Sequence, residues 1–139
     1  MKKLIPYFPA ALLIVILITS SCTDRKDAAR AEINEGLKQM YLSHLDKATQ
    51  HFEKAIEWDE TNAEPYLYLG RVMLNKSKID SALELVDKAL ALNPNYGEAY
   101  RTKAQIKTIQ GDKDQACENY KKAKENGIKN LNNYLKFCN

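Results

Sequence analysis

The chain has 139 residues, a formal net charge of +3 and 45% hydrophobic residues, enough for one domain with a modest core. The small positive surplus gathers toward the C-terminal third and excludes the dense basic stripe of a nucleic-acid binder. Three cysteines and two histidines leave little material for a metal site, and no cofactor is expected.

Met1-Lys2-Lys3 forms a short positive head, followed by an apolar run from Leu4 to Ile18 that Pro6 and Pro9 interrupt. Thr19-Ser20-Ser21-Cys22 closes the run with small residues and a cysteine. A run of this length suits the core of a signal peptide and falls short of the ~20 residues that a membrane helix needs. Ser20, Ser21 and Cys22 resemble the lipobox of bacterial lipoproteins, whereas Thr19 stands where that pattern has an aliphatic residue. The resemblance implies cleavage before Cys22, a diacylglycerol thioether on its sulfur and acylation of the new N-terminus. An uncleaved anchor is the alternative. Thr23 to Asp27 is polar and charged and is expected to be a flexible spacer.

Beyond the spacer the sequence repeats itself at 34 residues. Gly36, Gly70 and Ala104 superpose, as do Ala48, Ala82 and Ala116. So do Phe52, Val86 and Tyr120, then Ala55, Ala89 and Ala123. Small residues let two helices cross closely, and the bulky column fills the gap between them. The central unit shows the pattern best, with Tyr66, Leu69 and Met73 on one helical stripe and Leu83, Val86 and Leu90 on the other. Glu35 and Gln39 replace the apolar pair Leu69 and Met73 in the first unit, and Lys103 and Lys107 replace it in the third, which predicts weaker packing there. The period and the order of small and large residues resemble the tetratricopeptide repeat. That resemblance implies an all-α, right-handed α-solenoid of three helix hairpins, since one pair cannot bury its own apolar face. The predicted helices run from about Ala28 to Leu42 and Leu45 to Trp58, then through the central pair, then Glu98 to Gln110 and Lys113 to Asn126. Gly111-Asp112 makes the last internal turn, with Asp112 as helix N-cap. Trp58 shares a column with Leu92 and is expected in the core.

Gly127 should end the third hairpin in a left-handed cap. Leu131, Tyr134, Leu135 and Cys138 then recur at spacings of three and four, a short amphipathic capping helix. Gly127 and Ile128 lie midway between Cys117 and Cys138, so a hairpin folded there brings the two thiols opposite each other. In an exported protein they would oxidise to a disulfide; two separately buried thiols are the alternative. The chain thus divides into a presequence (1–21), a lipidated cysteine with its spacer (22–28), three repeats (29–62, 63–96 and 97–130) and a cap (131–139).

No catalytic constellation is present: glycine-rich phosphate loops, nucleophile elbows and paired histidine–acid sets are all missing from the sequence. His44 and His51 lack a third ligand at metal spacing. Asp112, Asp114 and Glu118 lack the glycine and terminal glutamate of a calcium loop. Asn75-Lys76-Ser77 is a chance glycosylation match, and Lys121, Lys122 and Lys124 make a wet helix face.

What remains is binding. The resemblance implies a concave groove lined by the first helix of each hairpin, holding a peptide or helix of a partner protein. By repeat position the groove residues are Ile33, Leu37, Met40 and Tyr41, then Leu67, Arg71, Leu74 and Asn75, then Arg101, Gln105, Thr108 and Ile109. That surface grades from apolar to basic, which suits a segment with one hydrophobic and one acidic or carboxylate end. The chaperone-binding subfamily places a lysine and an asparagine where Ile33 and Leu37 stand, so its ligand is not implied. Leu37 or Leu67 could equally pack between repeats, since a helical stripe serves either purpose. The expected protein is a non-enzymatic, membrane-anchored interaction module in the bacterial cell envelope, on the outer membrane or the periplasmic face of the inner one. The alternative is an accessory subunit of an envelope assembly or secretion machine, docking through its convex face or cap.

Overall fold

The computed structural model describes residues 9–138, with side chains from residue 24 onward. Cys22 has its backbone in the first helix, but its side chain lies outside the described residues, as does most of the presequence. Seven helices follow one another: α1 (Pro9–Tyr41), α2 (Leu45–Trp58), α3 (Ala63–Asn75), α4 (Ile79–Leu92), α5 (Gly97–Ile109), α6 (Lys113–Glu125) and α7 (Asn132–Leu135). They form three antiparallel hairpins, α1–α2, α3–α4 and α5–α6, stacked in order, with α7 on the last. Among the described residues there is no strand, and no helix is long and apolar enough to cross a membrane.

Each hairpin turn is made the same way. α1, α3 and α5 end in a residue with positive φ, Ser43 (59°), Ser77 (59°) and Gly111 (78°), one period apart. The amide after each of these bonds back to a carbonyl in the last turn: His44 to Gln39, Lys78 to Met73, and Asp112 to Lys107. A Schellman cap of this kind satisfies the orphaned carbonyls and reverses the chain in three residues. α6 ends identically at Gly127 (φ 89°), where Ile128 N–H donates to Ala123 O. Asn62 and Asp112 cap the starts of α3 and α6 by accepting from Glu64 N–H and Gln115 N–H.

The columns meet as the spacing requires. Ala48, Ala82 and Ala116 are buried at the hairpin crossings, as are Phe52, Val86 and Tyr120 beside them. A Cβ on Gly70 would stand 3.0 Å from Val86 Cγ2 and 3.2 Å from Ala82 O, so the crossing tolerates little more than hydrogen there. The polar replacements in the outer repeats find partners instead of core. Gln39 Nε2 bonds Glu35 at 2.7 Å, and Lys103 pairs with Asp87 of α4 at 2.7 Å.

Three expectations are corrected. Thr23 to Asp27 is not a loose spacer but part of α1, because no glycine or proline interrupts the chain between Pro9 and Gly36. Arg25 fixes that stretch to the end of α2, donating to Trp58 O at 3.2 Å and Glu57 O at 3.3 Å, where a helix C-terminus favours a cation. Trp58 is not in the core: as the last residue of α2 it lies beyond the crossing and is 45% exposed. The cap helix is a single turn, and only Leu131 just before it is buried; Tyr134 stacks on Tyr120 at 4.7 Å between ring centroids.

Candidate functional site

First helices touch first helices along the stack, α1 against α3 and α3 against α5, whereas α2, α4 and α6 do not touch each other. The array therefore bends toward its first helices, and their outward stripe is the inner face. Three of the columns expected there keep surface exposure. Leu37, Arg71 and Gln105 are half-buried along its middle. Met40 and Leu74 are half-buried beside them, with Thr108 exposed, and Tyr41, Asn75 and Ile109 are exposed at its rim. Tyr41 (89% exposed) and Ile109 (60%) present bare apolar surface.

The fourth column is corrected. Ile33 and Leu67 are not groove residues; both are buried in the seams between hairpins. Ile33 packs in the cluster with Leu69 and Val72 of α3, and Leu67 in the cluster with Ala99 and Ile106 of α5. Arg101, one period on, has no complete neighbouring helix to cover it. It is half-buried and turns its guanidinium to Glu98, at 2.6 and 3.0 Å.

That pairing changes the charge pattern. Arg101 is neutralised on its own helix, whereas Arg71 makes no ion pair among the described residues. Arg71, Glu64 and Glu98 all act electrostatically on Tyr68 and Tyr96. Burial first of all pushes the Tyr96 phenol well above the ordinary tyrosine range; Tyr68, Glu64 and Glu98 add to the rise and Arg71 opposes it. Tyr68 is raised by burial first, then by Glu64, to which its hydroxyl also donates, and by Glu98, with Arg71 opposing. The centre of the inner face thus gathers one guanidinium, two phenols and the carboxylates of Glu64 and Glu98, with the Tyr68 hydroxyl donating to Glu64 and the Arg71 guanidinium a donor suited to a carboxylate. Tyr68 and Tyr96 were not anticipated. Their signal in the sequence is weak, because Asn34 and Thr102 occupy the column of Tyr68 and no tyrosine recurs at that of Tyr96.

Elsewhere the candidate chemistry resolves into structure. His51 Nδ1 meets Glu32 at 2.6 Å across α1 and α2, and His44 Nδ1 lies 3.0 Å from Gln39 Oε1. No group of three metal-ligating side chains forms among the described residues. Glu118 pairs with Lys122 at 2.6 Å, while Lys121 and Lys124 are exposed. Cys117 and Cys138 are joined as a disulfide, their Cα atoms 5.4 Å apart, tying the cap to α6.

Tetratricopeptide repeat family models match residues 39–106 and 97–126. Residues of the chain are 31% identical over 78 positions to the mitochondrial import receptor subunit TOM70 of Rattus norvegicus, which covers 55% of the chain and 13% of that protein. They are 25% identical over 100 positions to the TPR repeat-containing thioredoxin TDX of Arabidopsis thaliana, covering 71% of the chain and 26% of that protein. The chain thus spans about an eighth to a quarter of these relatives. Among solved structures, the first TPR of Spaghetti (RPAP3) bound to the HSP90 peptide SRMEEVD superposes with a TM-score of 0.75 at 20% identity, over 81% of this chain and 91% of that one. The Arabidopsis OM64 TPR domain gives 0.75 at 16% identity, over 82% and 96%. MamA gives 0.63 at 26% identity, over 70% and 53%.

Proposed function

We propose, of a chain that belongs to the tetratricopeptide repeat family across residues 39–126, that it anchors to a membrane of the bacterial cell envelope and holds a partner protein on its inner face. Repeats of this family form a protein–protein interaction fold, and one structural relative carries a bound peptide. The observation that carries the reading is Arg71, a half-buried guanidinium with no ion pair among the described residues, within electrostatic reach of Tyr68 and Tyr96 at the middle of the array. An extended segment would lay apolar side chains over Leu37, Met40 and Tyr41 and bring an acidic side chain or terminal carboxylate to Arg71. The role is recognition without catalysis.

Capture of partners from detergent-solubilised membranes tests the groove. Arg71→Glu should lose the partner, whereas Arg101→Glu should do less, because Glu98 already neutralises that charge. Identical partner sets for the unaltered chain and Arg71→Glu would refute it. The anchor is tested separately: Cys22→Ser should shift the protein from the membrane to the soluble fraction. Mass spectrometry of the mature N-terminus should find a lipid-modified cysteine. Several acyl chains on one residue hold firmly, at about 0.8 kcal/mol per buried methylene.

A second reading, an accessory subunit docking through the cap, draws on the apolar surface there, where Phe137 is 76% exposed. Loss of association on changing Lys121 and Lys124, with Arg71→Glu silent, would favour it.

A further inference from the structure

The first helices of the second and third repeats begin at the same place in the period, α3 at Ala63 and α5 at Gly97. In that register α1 would begin at Ala29. It begins earlier, and from Cys22 to Ala29 the extra helix carries the chain about 10 Å past the end of its hairpin. The links 59–62 and 93–96 turn at this same end, because α2 and α4 run antiparallel to the first helices.

Trp58 is where the extension meets the stack. Arg25, less than one helical turn beyond Cys22, donates to the carbonyls of Trp58 and Glu57. In the next repeat the column of Trp58 holds Leu92, which packs against the core. Trp58 does not follow it inward, and beside the extension it borders a shallow recess of about 280 Å³ with Arg25, Lys26 and Asp59. An indole has an apolar body and one N–H donor, which suits it to the boundary between acyl chains and headgroups.

We infer that this end of the stack sits on the lipid surface itself, with Trp58 in the headgroup layer next to the acylated cysteine. The inference rests on the reading of Cys22 as the anchor. A headgroup layer is roughly 5–7 Å deep, and Arg25 stands about 4.5 Å along the axis from Cys22, so the clamp holds Trp58 within reach of that layer. Attraction to anionic lipid does not supply the contact, since the segments 24–30 and 57–60 together carry more acidic than basic residues. The indole supplies it, and a zwitterionic surface suffices. Contact at both Cys22 and Trp58 sets the stack upright on the bilayer, where a single tether would let it tilt.

Trp58 is the single tryptophan of the chain, so its fluorescence reads the contact directly. The chain is purified in detergent from the bacterial cells that make it and reconstituted into phosphatidylcholine vesicles. One set of vesicles carries a nitroxide on the headgroup, another a nitroxide at the acyl terminus. Trp58 should lose most of its emission to the headgroup nitroxide and little to the acyl one. A chain with Trp58→Phe and Tyr41→Trp, its indole at the other end of α1 about 30 Å from Cys22, should be quenched by neither. Adding phosphatidylglycerol or salt should leave both results as they were. Mass spectrometry of the same sample reads the anchor separately: an unmodified Cys22 with Trp58 still quenched would sink the lipoprotein reading and support the seat. Trp58 unquenched, both positions quenched alike, or quenching that needs phosphatidylglycerol would overturn the inference, whatever the state of Cys22.

Discussion

The ring of Phe52 lies against Gly36 so closely that a Cβ on that glycine would stand 2.6 Å from Cε1 of the ring. Phe52 is itself fully buried, so the ring has nowhere to retreat. Gly36→Val should therefore destabilise the protein by about 2 kcal/mol through overpacking, read as a lower urea midpoint with the slope unchanged. An unaltered midpoint would mean that the first hairpin crosses more loosely than the structure has it.

The hairpin turns carry strain of a different kind. Ser43 and Ser77 hold the positive φ that Gly111 holds in the third repeat, and a side chain in that conformation costs about 1–2 kcal/mol. Ser77→Gly should raise stability by about 1 kcal/mol, moving the thermal midpoint up. Gly111→Ser should lower it by a comparable amount.

Alkaline stability should depend on Tyr96. Its folded-state pKa is raised, chiefly by burial, above the unfolded value of about 10. The folded chain therefore holds that proton more tightly. The associated stability is complete below about pH 10 and is lost as pH climbs beyond it. Tyr96→Phe should flatten the alkaline limb of a stability–pH curve. On the acid side the depressed carboxyls of Glu35, Asp46 and Glu118 act in the opposite sense, losing their contribution as pH falls through the carboxylate range. Asp46 and Glu118 are exposed and Glu35 is partly so, so the acid limb should be shallow.

Reducing the Cys117–Cys138 bond releases a loop with a sequence separation of 21 residues. In the chain-entropy account such a closure contributes about 3 kcal/mol. Cys138→Ser should lower stability by up to that amount. Amide exchange should quicken first in residues 132–138, where the helix is one turn long, and leave Ala48, Ala82 and their neighbours protected.

The hairpin architecture was legible because small residues at a crossing cannot be exchanged for large ones. Gly36, Gly70 and Ala104 therefore mark the same contact three times. Sorting a first helix's stripe into seam and groove was not legible. Ile33 and Leu67 look like groove residues until the next hairpin is laid beside them, whereas Arg101, with the single turn of α7 beyond it among the described residues, turns to Glu98. Trp58 failed for a related reason: a shared column assures a shared depth only within the crossing. The cap continues the columns of the first helices, Tyr134 that of Tyr66 and Tyr100 and Cys138 that of Gly70 and Ala104, although it forms only one turn. The long α1 was hidden by its polarity, which suggests a linker while offering the backbone no reason to stop.

That unbroken α1 has a mechanical meaning. From Cys22 to Tyr41 it extends about 30 Å at 1.5 Å per residue, and Arg25 clamps it sideways to the base of the first hairpin. A lipid-bearing end on such a mast has no hinge about which the stack can swivel. The proposed anchor would then fix the height and heading of the inner face, so that partners meet it from one direction only.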